Sequence, residues 1–243
     1  MIPDRTLYLD AGNTRIKAAA YENGEWKPEG LFSYDEYGKT GSNFAELCRK
    51  YDEIVLVSVK QQLQAEDLQK QVSADVIGID RRILTHEKHR YRTPETLGID
   101  RYLACLGAWS LGTPNPSAVI VSDAGTACTV DAMNAEGVYL GGVIMPGLHM
   151  LIDTLDRGAD GLFTVAVQLP EFWPPDTTES ALQAGTAGTF LAAWETHVKR
   201  MQSACPNATI WLTGGDAGFL NRHTEFDCKR SDFLVFEGMR LSH

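Results

Sequence analysis

The chain has 243 residues, 44 % of them hydrophobic and 22 % charged, with a formal net charge of −10. That length builds one large or two small cored domains, and the balance is that of a soluble globular protein. The acidic surplus argues against a nucleic-acid partner, so any anionic ligand must be held by local groups rather than by the overall field.

Leu7-Tyr8-Leu9 reads as a short strand, Asp10 to Thr14 as turn chemistry, Ile16 to Tyr21 as a second strand, and Glu22-Asn23-Gly24 as a type I′ hairpin signal. The stretch Asp10-Ala11-Gly12-Asn13-Thr14-Arg15-Ile16-Lys17 offers a glycine for close backbone approach, two neutral side chains that hydrogen-bond phosphate oxygens, and a lysine. Asp10 would meet a phosphate only through a divalent cation; the same residues also make an ordinary Asx turn. Asn43 precedes an apolar stripe of Phe44, Leu47, Cys48 and Tyr51 at helical spacing, with Glu46 placed for a capping box. Then come a buried strand over 53–59, an amphipathic helix over 61–72 and a strand over 75–79. Residues 81–97 are polar and irregular; His86 and His89 there are three apart, and without further ligands they read as part of a polar loop.

A helix over 100–111 follows, opened by Asp100, which is either its N-cap or a general base for an alcohol acceptor. Arg101 beside it either grips a substrate carboxylate or makes a surface ion pair. The Gly-Thr-Pro-Asn-Pro-Ser connector over 112–117 is the expected domain boundary, dividing the chain into 1–115 and 116–243. After the strand Ala118-Val119-Ile120-Val121, residues 123–137 read DAGTACTVDAMNAEG, a second strand, loop, strand and hairpin. Asp10 to Gly24 and Asp123 to Gly137 both span 14 residues, so the chain holds two copies of one unit, 113 residues apart. The run Gly141 to Gly147 turns into a helix over 148–156, and a long loop over 157–177 contains Phe172-Trp173-Pro174-Pro175, which reads as a lid over a pocket or as a packed loop, with packing expected. A long helix over 178–201 and a strand over 208–213 lead into Gly214-Gly215.

Two phosphate-type loops followed by a glycine-rich turn resemble the actin-like ATPase superfamily, which includes sugar kinases and acetate kinase. The combination D-x-G-N-T at Asp10 to Thr14, G-x-D-R at Gly98 to Arg101, D-x-G-T-A at Asp123 to Ala127 and G-G-x-I-x-P-G at Gly141 to Gly147 resembles the type III pantothenate kinases. The resemblance implies an α/β protein of two similar actin-like (ribonuclease H-like) subdomains. Each is expected to be a mixed sheet flanked by helices, with a nucleotide cleft between the two. It implies phosphorylation of the primary hydroxyl of pantothenate by ATP, the first step of coenzyme A biosynthesis.

Carried over by residue, the resemblance gives Asp10, Ala11, Gly12, Asn13, Thr14, Arg15, Ile16 and Lys17 to the ATP phosphates, Asp10 acting through magnesium. Asp100 becomes the catalytic base, and Tyr91, Gly98, Ile99, Asp100 and Arg101 line the pantothenate pocket. Asp123 holds a monovalent cation, potassium or ammonium; Thr126 and Gly214-Gly215 contact ATP; Thr178 reaches substrate from the partner of a homodimer. Leu103, Leu106 and Trp109 on the helix after Asp100 would suit either that interface or the core. The rival readings are a transcription-accessory protein on this scaffold, an ATPase or phosphatase without an alcohol acceptor, and a nucleotide-binding pseudoenzyme. The five cysteines, Cys48, Cys105, Cys128, Cys205 and Cys228, are scattered without a CxxC pair, which indicates neither disulfides nor zinc. Reduced thiols, no charged leader and no apolar run long enough to span a membrane make a cytoplasmic location the expectation.

Overall fold

A computed structural model of the chain describes residues 5–39, 41–112 and 117–243. The chain separates into two compact units, Met1–Leu111 with Phe233–His243, and Gly112–Asp232. The boundary read at 115/116 lies outside the described residues, and a single cut there leaves out the return of the last eleven residues to the first unit.

In the first unit β1 (Thr6–Ala11), β2 (Ile16–Glu22) and β3 (Glu25–Phe32) form an antiparallel meander. Asn23 and Gly24 join β2 to β3 with φ of 53° and 86°, the two left-handed positions a type I′ turn requires. Helices α1 (Tyr34–Tyr37) and α2 (Asn43–Cys48) follow, then β4 (Glu53–Ser58), α3 (Ala65–Gln69), β5 (Asp75–Ile79) and α4 (Ile99–Ser110). β4 and β5 extend the meander in parallel, giving the order β3-β2-β1-β4-β5. The α2 cap is Ser42, whose hydroxyl accepts from Ala45 N–H, so the capping expected around Asn43 sits one residue earlier. The full capping box belongs instead to α1, where Ser33 and Glu36 bond reciprocally. The helix expected over 61–72 is confined to α3, because Ser58 and Lys60 use their polar groups in a turn before it.

The second unit repeats the plan with β6 (Val119–Ala124), β7 (Ala127–Met133) and β8 (Tyr139–Pro146), then α5 (Leu148–Gly158), α6 (Thr178–Gln183), α7 (Thr189–Ala204), β9 (Thr209–Thr213), α8 (Ala217–His223) and β10 (Cys228–Arg230). Its sheet, in the order β10-β9-β6-β7-β8, has the same antiparallel meander with two parallel additions. The long helix expected over 178–201 is interrupted by a π-helical turn at Ala184–Gly188, where Ala-Gly-Thr-Ala-Gly has little side chain to hold α-helical spacing. Each unit has its own core: Leu7, Leu9, Ile16, Ile54 and Leu56 in the first, Ile120, Val130, Phe190, Trp194 and Leu212 in the second. Trp194 donates to Ser122 Oγ at 2.7 Å, which satisfies the buried indole.

The last helix, α9 (Leu234–Ser242), packs on α4 through glycines. A Cβ on Gly107 would collide with the Leu234 carbonyl, and one on Gly238 with that of Leu103. Leu103 is therefore fully buried in the first unit, while Leu106 and Trp109 are half-buried. Phe172 and Trp173, expected to pack, are 72 % and 81 % exposed in the irregular chain between α5 and α6. Among the described residues no helix is long and apolar enough to cross a membrane, and no group of three or more His, Cys, Asp or Glu is arranged to hold a metal.

Candidate active site

In the first unit the candidate phosphate loop is the four-residue link Gly12 to Arg15 between β1 and β2, closed by Gly12 N–H donating to Arg15 O at 3.1 Å. Ala11 and Ile16 are fully buried in the core, so their share in any phosphate contact is limited to the backbone. Asn13, Thr14 and Arg15 are exposed. Gly12 lacks a positive φ, and a Cβ there would make only ordinary contact, 3.6 Å from Arg15 O. The loop's own conformation therefore does not require this glycine, whereas close approach by a ligand would.

Asp10 is buried and faces Lys17 across the β1–β2 pair; Lys17 Nζ lies 3.9 Å from its Oδ2. Tyr34, which the sequence reading passed over, donates its hydroxyl to Gly12 O at 2.5 Å and so ties the loop to α1. Burial and the nearby Asp10 charge push that phenol up to about 12, so it remains a donor at neutral pH.

The candidate acceptor segment lies in the same unit. Arg81 Nε donates to Leu97 O at 2.7 Å, and Leu97 is fully buried, which fixes the approach to α4. The α4 N-cap is Gly98, with φ −62° and ψ 116°, so Asp100 sits one residue inside the helix rather than capping it. Asp100 Oδ1 accepts from Arg101 N–H at 3.0 Å. A Cβ on Gly98 would lie 2.6 Å from that same Oδ1; the glycine makes room for the carboxylate. Arg101 is only 8 % exposed, which rules out a surface ion pair. Tyr91 is half-buried. His89 is buried with no hydrogen-bond partner for Nδ1, and its ring centroid lies 6.3 Å from that of His86.

In the second unit the repeat is tighter. Only Gly125 and Thr126 join β6 to β7, with Gly125 N–H donating to Ala127 O at 3.2 Å, and Thr126 is exposed. The equal 14-residue spacing arises because the later turn, Asn134 to Val138, is longer than its counterpart at Asn23-Gly24. Asp123 is paired in register with Thr213, and Gly214 follows at φ +91°. A Cβ on Gly214 would lie 2.5 Å from Asp123 Oδ1 and 2.6 Å from Ala124 O, so the glycine turn is built against this carboxylate. Gly147 N–H donates to Thr126 O at 3.2 Å, seating α5 against the loop.

Asp216 closes the cluster with its N–H on Ala124 O at 2.9 Å and its Oδ1 3.4 Å from His149 Nε2; neither residue was singled out from sequence. Burial raises the Asp216 carboxyl, and the His149 imidazole opposes that rise. Burial first, then the charges of Asp123 and Asp216, raises the Cys128 thiol well above its ordinary value, so it is an inert core group. Thr178 is exposed at the first position of α6, while Thr177 is the N-cap, bonded reciprocally with Ser180.

The duplicated five-stranded units, each with an aspartate near a strand end and a short loop after it, define an actin-like fold. A solved ethanolamine utilization protein EutJ from Carboxydothermus hydrogenoformans shares this architecture at 12 % identity with TM-score 0.52, covering 100 % of this chain and 91 % of that one. The type III pantothenate kinase family model matches residues 6–200, and the chain belongs to that family. It is 32 % identical over 236 residues to a type III pantothenate kinase of Dechloromonas aromatica, covering 96 % of each chain. A solved Campylobacter jejuni protein assigned to the Baf family of transcriptional activators is similar with TM-score 0.65 and 25 % identity, covering 97 % of this chain and 96 % of that one.

Proposed function

We propose that the protein works as its family name states, as a pantothenate kinase that transfers the γ-phosphoryl group of ATP to the primary hydroxyl of pantothenate and so opens coenzyme A synthesis. The observation that carries the acceptor assignment is the start of α4. Gly98 takes the capping position, leaving Asp100 as a carboxylate whose place in the helix does not depend on capping. Asp100 accepts the hydroxyl proton as the alkoxide oxygen attacks phosphorus and ADP departs. Arg101 grips the substrate carboxylate, and Tyr91, Gly98 and Ile99 shape the pocket. Asp10, the backbone of Ala11 and Ile16, the loop from Gly12 to Arg15, and Lys17 hold ATP phosphates; Thr126, Gly214 and Gly215 serve the same nucleotide.

Magnesium and a monovalent cation fit the donors present, which are oxygen atoms throughout: the buried Asp10 carboxylate for the first, the Asp123 carboxylate beside the Ala124 carbonyl for the second. When bound, these ions supply charge neutralisation for the phosphates. A homodimer in which Thr178 serves the neighbouring subunit's pocket, in a cytoplasmic enzyme, completes the reading. The deciding measurement is ADP release with ATP, magnesium and potassium, with and without pantothenate, and mass detection of 4′-phosphopantothenate. ATP hydrolysis unaffected by pantothenate would leave an ATPase instead.

A second reading draws on the assignment of the Campylobacter jejuni relative to a family of transcriptional activators. The net charge of −10 disfavours direct DNA contact, and such a role predicts no dependence on Asp100.

A further inference from the structure

Lys60 lies two residues beyond the end of β4, the strand that runs parallel to β1 and pairs Ser58 with Ala11. Ligands of open α/β sheets bind outside the carboxyl ends of such strands. The backbone there is well anchored. Val59 N–H donates to Ala11 O at 3.1 Å, Lys60 N–H to Ser58 Oγ at 3.1 Å, and Lys60 O accepts from Ser58 Oγ at 3.0 Å and from Gln64 Nε2 at 2.6 Å.

The side chain is carried toward the loop. Lys60 Nζ stands 5.6 Å from the centre of the Tyr34 ring, whose hydroxyl holds Gly12 O. Among the described residues no carboxylate lies within salt-bridge distance of it. Lys17, the lysine the motif itself provides, already faces Asp10 at 3.9 Å. A loop assigned to a polyphosphate in a chain of net charge −10 therefore has a second ammonium nearby, over the ring that holds its Gly12 carbonyl.

We propose that Lys60 is a phosphate-binding residue of the nucleotide site, held against Tyr34 until the polyphosphate of the donor arrives and then donating to its oxygens. This rests on the assignment of the Gly12 to Arg15 loop and Lys17 to ATP phosphates and adds a residue to it.

The test is direct binding of ATP and adenosine to the full-length protein and to Lys60→Gln and Lys60→Arg, with thermal unfolding of each. Charge-assisted hydrogen bonds are worth about 1.5–3 kcal/mol, so Lys60→Gln should weaken ATP by roughly tenfold to a hundredfold. Adenosine affinity should stay within about twofold, and Lys60→Arg should recover most of the loss. Equal ATP affinity in Lys60→Gln would reduce the lysine to packing on Tyr34 and overturn the proposal. Parallel losses for ATP and adenosine would overturn it too, because they report a displaced loop. A parent protein that binds no ATP would instead remove the loop assignment, and the proposal with it.

Discussion

Substituting Gly98 by alanine tests whether the position of the Asp100 carboxylate, and not merely its presence, sets the rate. The glycine has φ −62° and ψ 116°, which alanine adopts without strain, so the backbone should be unaffected. The new Cβ would start 2.6 Å from Asp100 Oδ1, whereas ordinary contact begins near 3.4 Å, so the carboxylate must withdraw by about 0.8 Å. Misplacement of a catalytic group by about 1 Å costs up to ~10²-fold, so kcat should fall by roughly 10- to 100-fold while the melting temperature stays within about 2 °C. The assay is initial-rate ADP release at saturating ATP and pantothenate, paired with calorimetry. A kcat within threefold of the parent, with the fold intact, would refute the argument and return Asp100 to a structural role.

Asp10→Ala should abolish magnesium-dependent turnover, since the metal neutralises charge on the phosphates during transfer; titrating magnesium against rate checks it, and a retained magnesium response would contradict the assignment. Replacing potassium by a bulky organic cation should slow the reaction severalfold or more, because a carboxylate near a phosphate repels it by about 4 kcal/mol at 4 Å and intermediate dielectric; an unchanged rate would remove the cation from Asp123. Stability should fall in acid through Glu237: burial alone raises its carboxyl, but hydrogen bonds from Arg240 at 2.6 Å and Trp26 Nε1 at 2.9 Å outweigh that and hold it below the ordinary range. A depressed carboxylate stabilises the fold above its unfolded value of about 4.3, and that contribution is lost as pH falls through the folded value. Urea midpoints at pH 7, 5 and 3 should therefore drop less in Glu237→Gln than in the parent, and parallel drops would disprove the linkage.

The strand, loop, strand and hairpin at residues 7–24 was legible because period-two apolar residues and Asn-Gly both act locally. The second loop was found by its likeness to the first, yet its two-residue link and longer hairpin turn are invisible in a spacing that matches overall. The return of α9 to the first unit rests on Gly107 and Gly238, whose close packing leaves no mark on a hydrophobic pattern. Arg101 reads as a surface residue until its helix is seen buried against α9, and Tyr34 acts through one carbonyl 22 residues away. Asp100 illustrates the opposite limit, because an aspartate at the start of a helix carries a capping signal in any sequence. Only coordinates show that Gly98 occupies that position.

The two sheets also show how one plan was given two kinds of charge. Asp10 and Asp123 occupy the same place, the fifth residue of the central strand, paired in parallel with Val57 and Thr213. Across the antiparallel neighbour Asp10 faces Lys17, whereas Asp123 faces Thr129. Three residues beyond the parallel partner stands Lys60 in the first unit and Asp216 in the second. At both equivalent positions the first unit therefore has a cation, while the second has a neutral side chain and a further carboxylate. The same geometry would tolerate phosphate in the first unit through its own lysines. In the second, burial raises the Asp216 carboxyl toward its neutral form and the exposed His149 opposes that rise. The proposed cation at Asp123 and the proposed lysine contacts at the first loop would be two answers to one electrostatic problem. The duplication places the two aspartates at matching points of the fold.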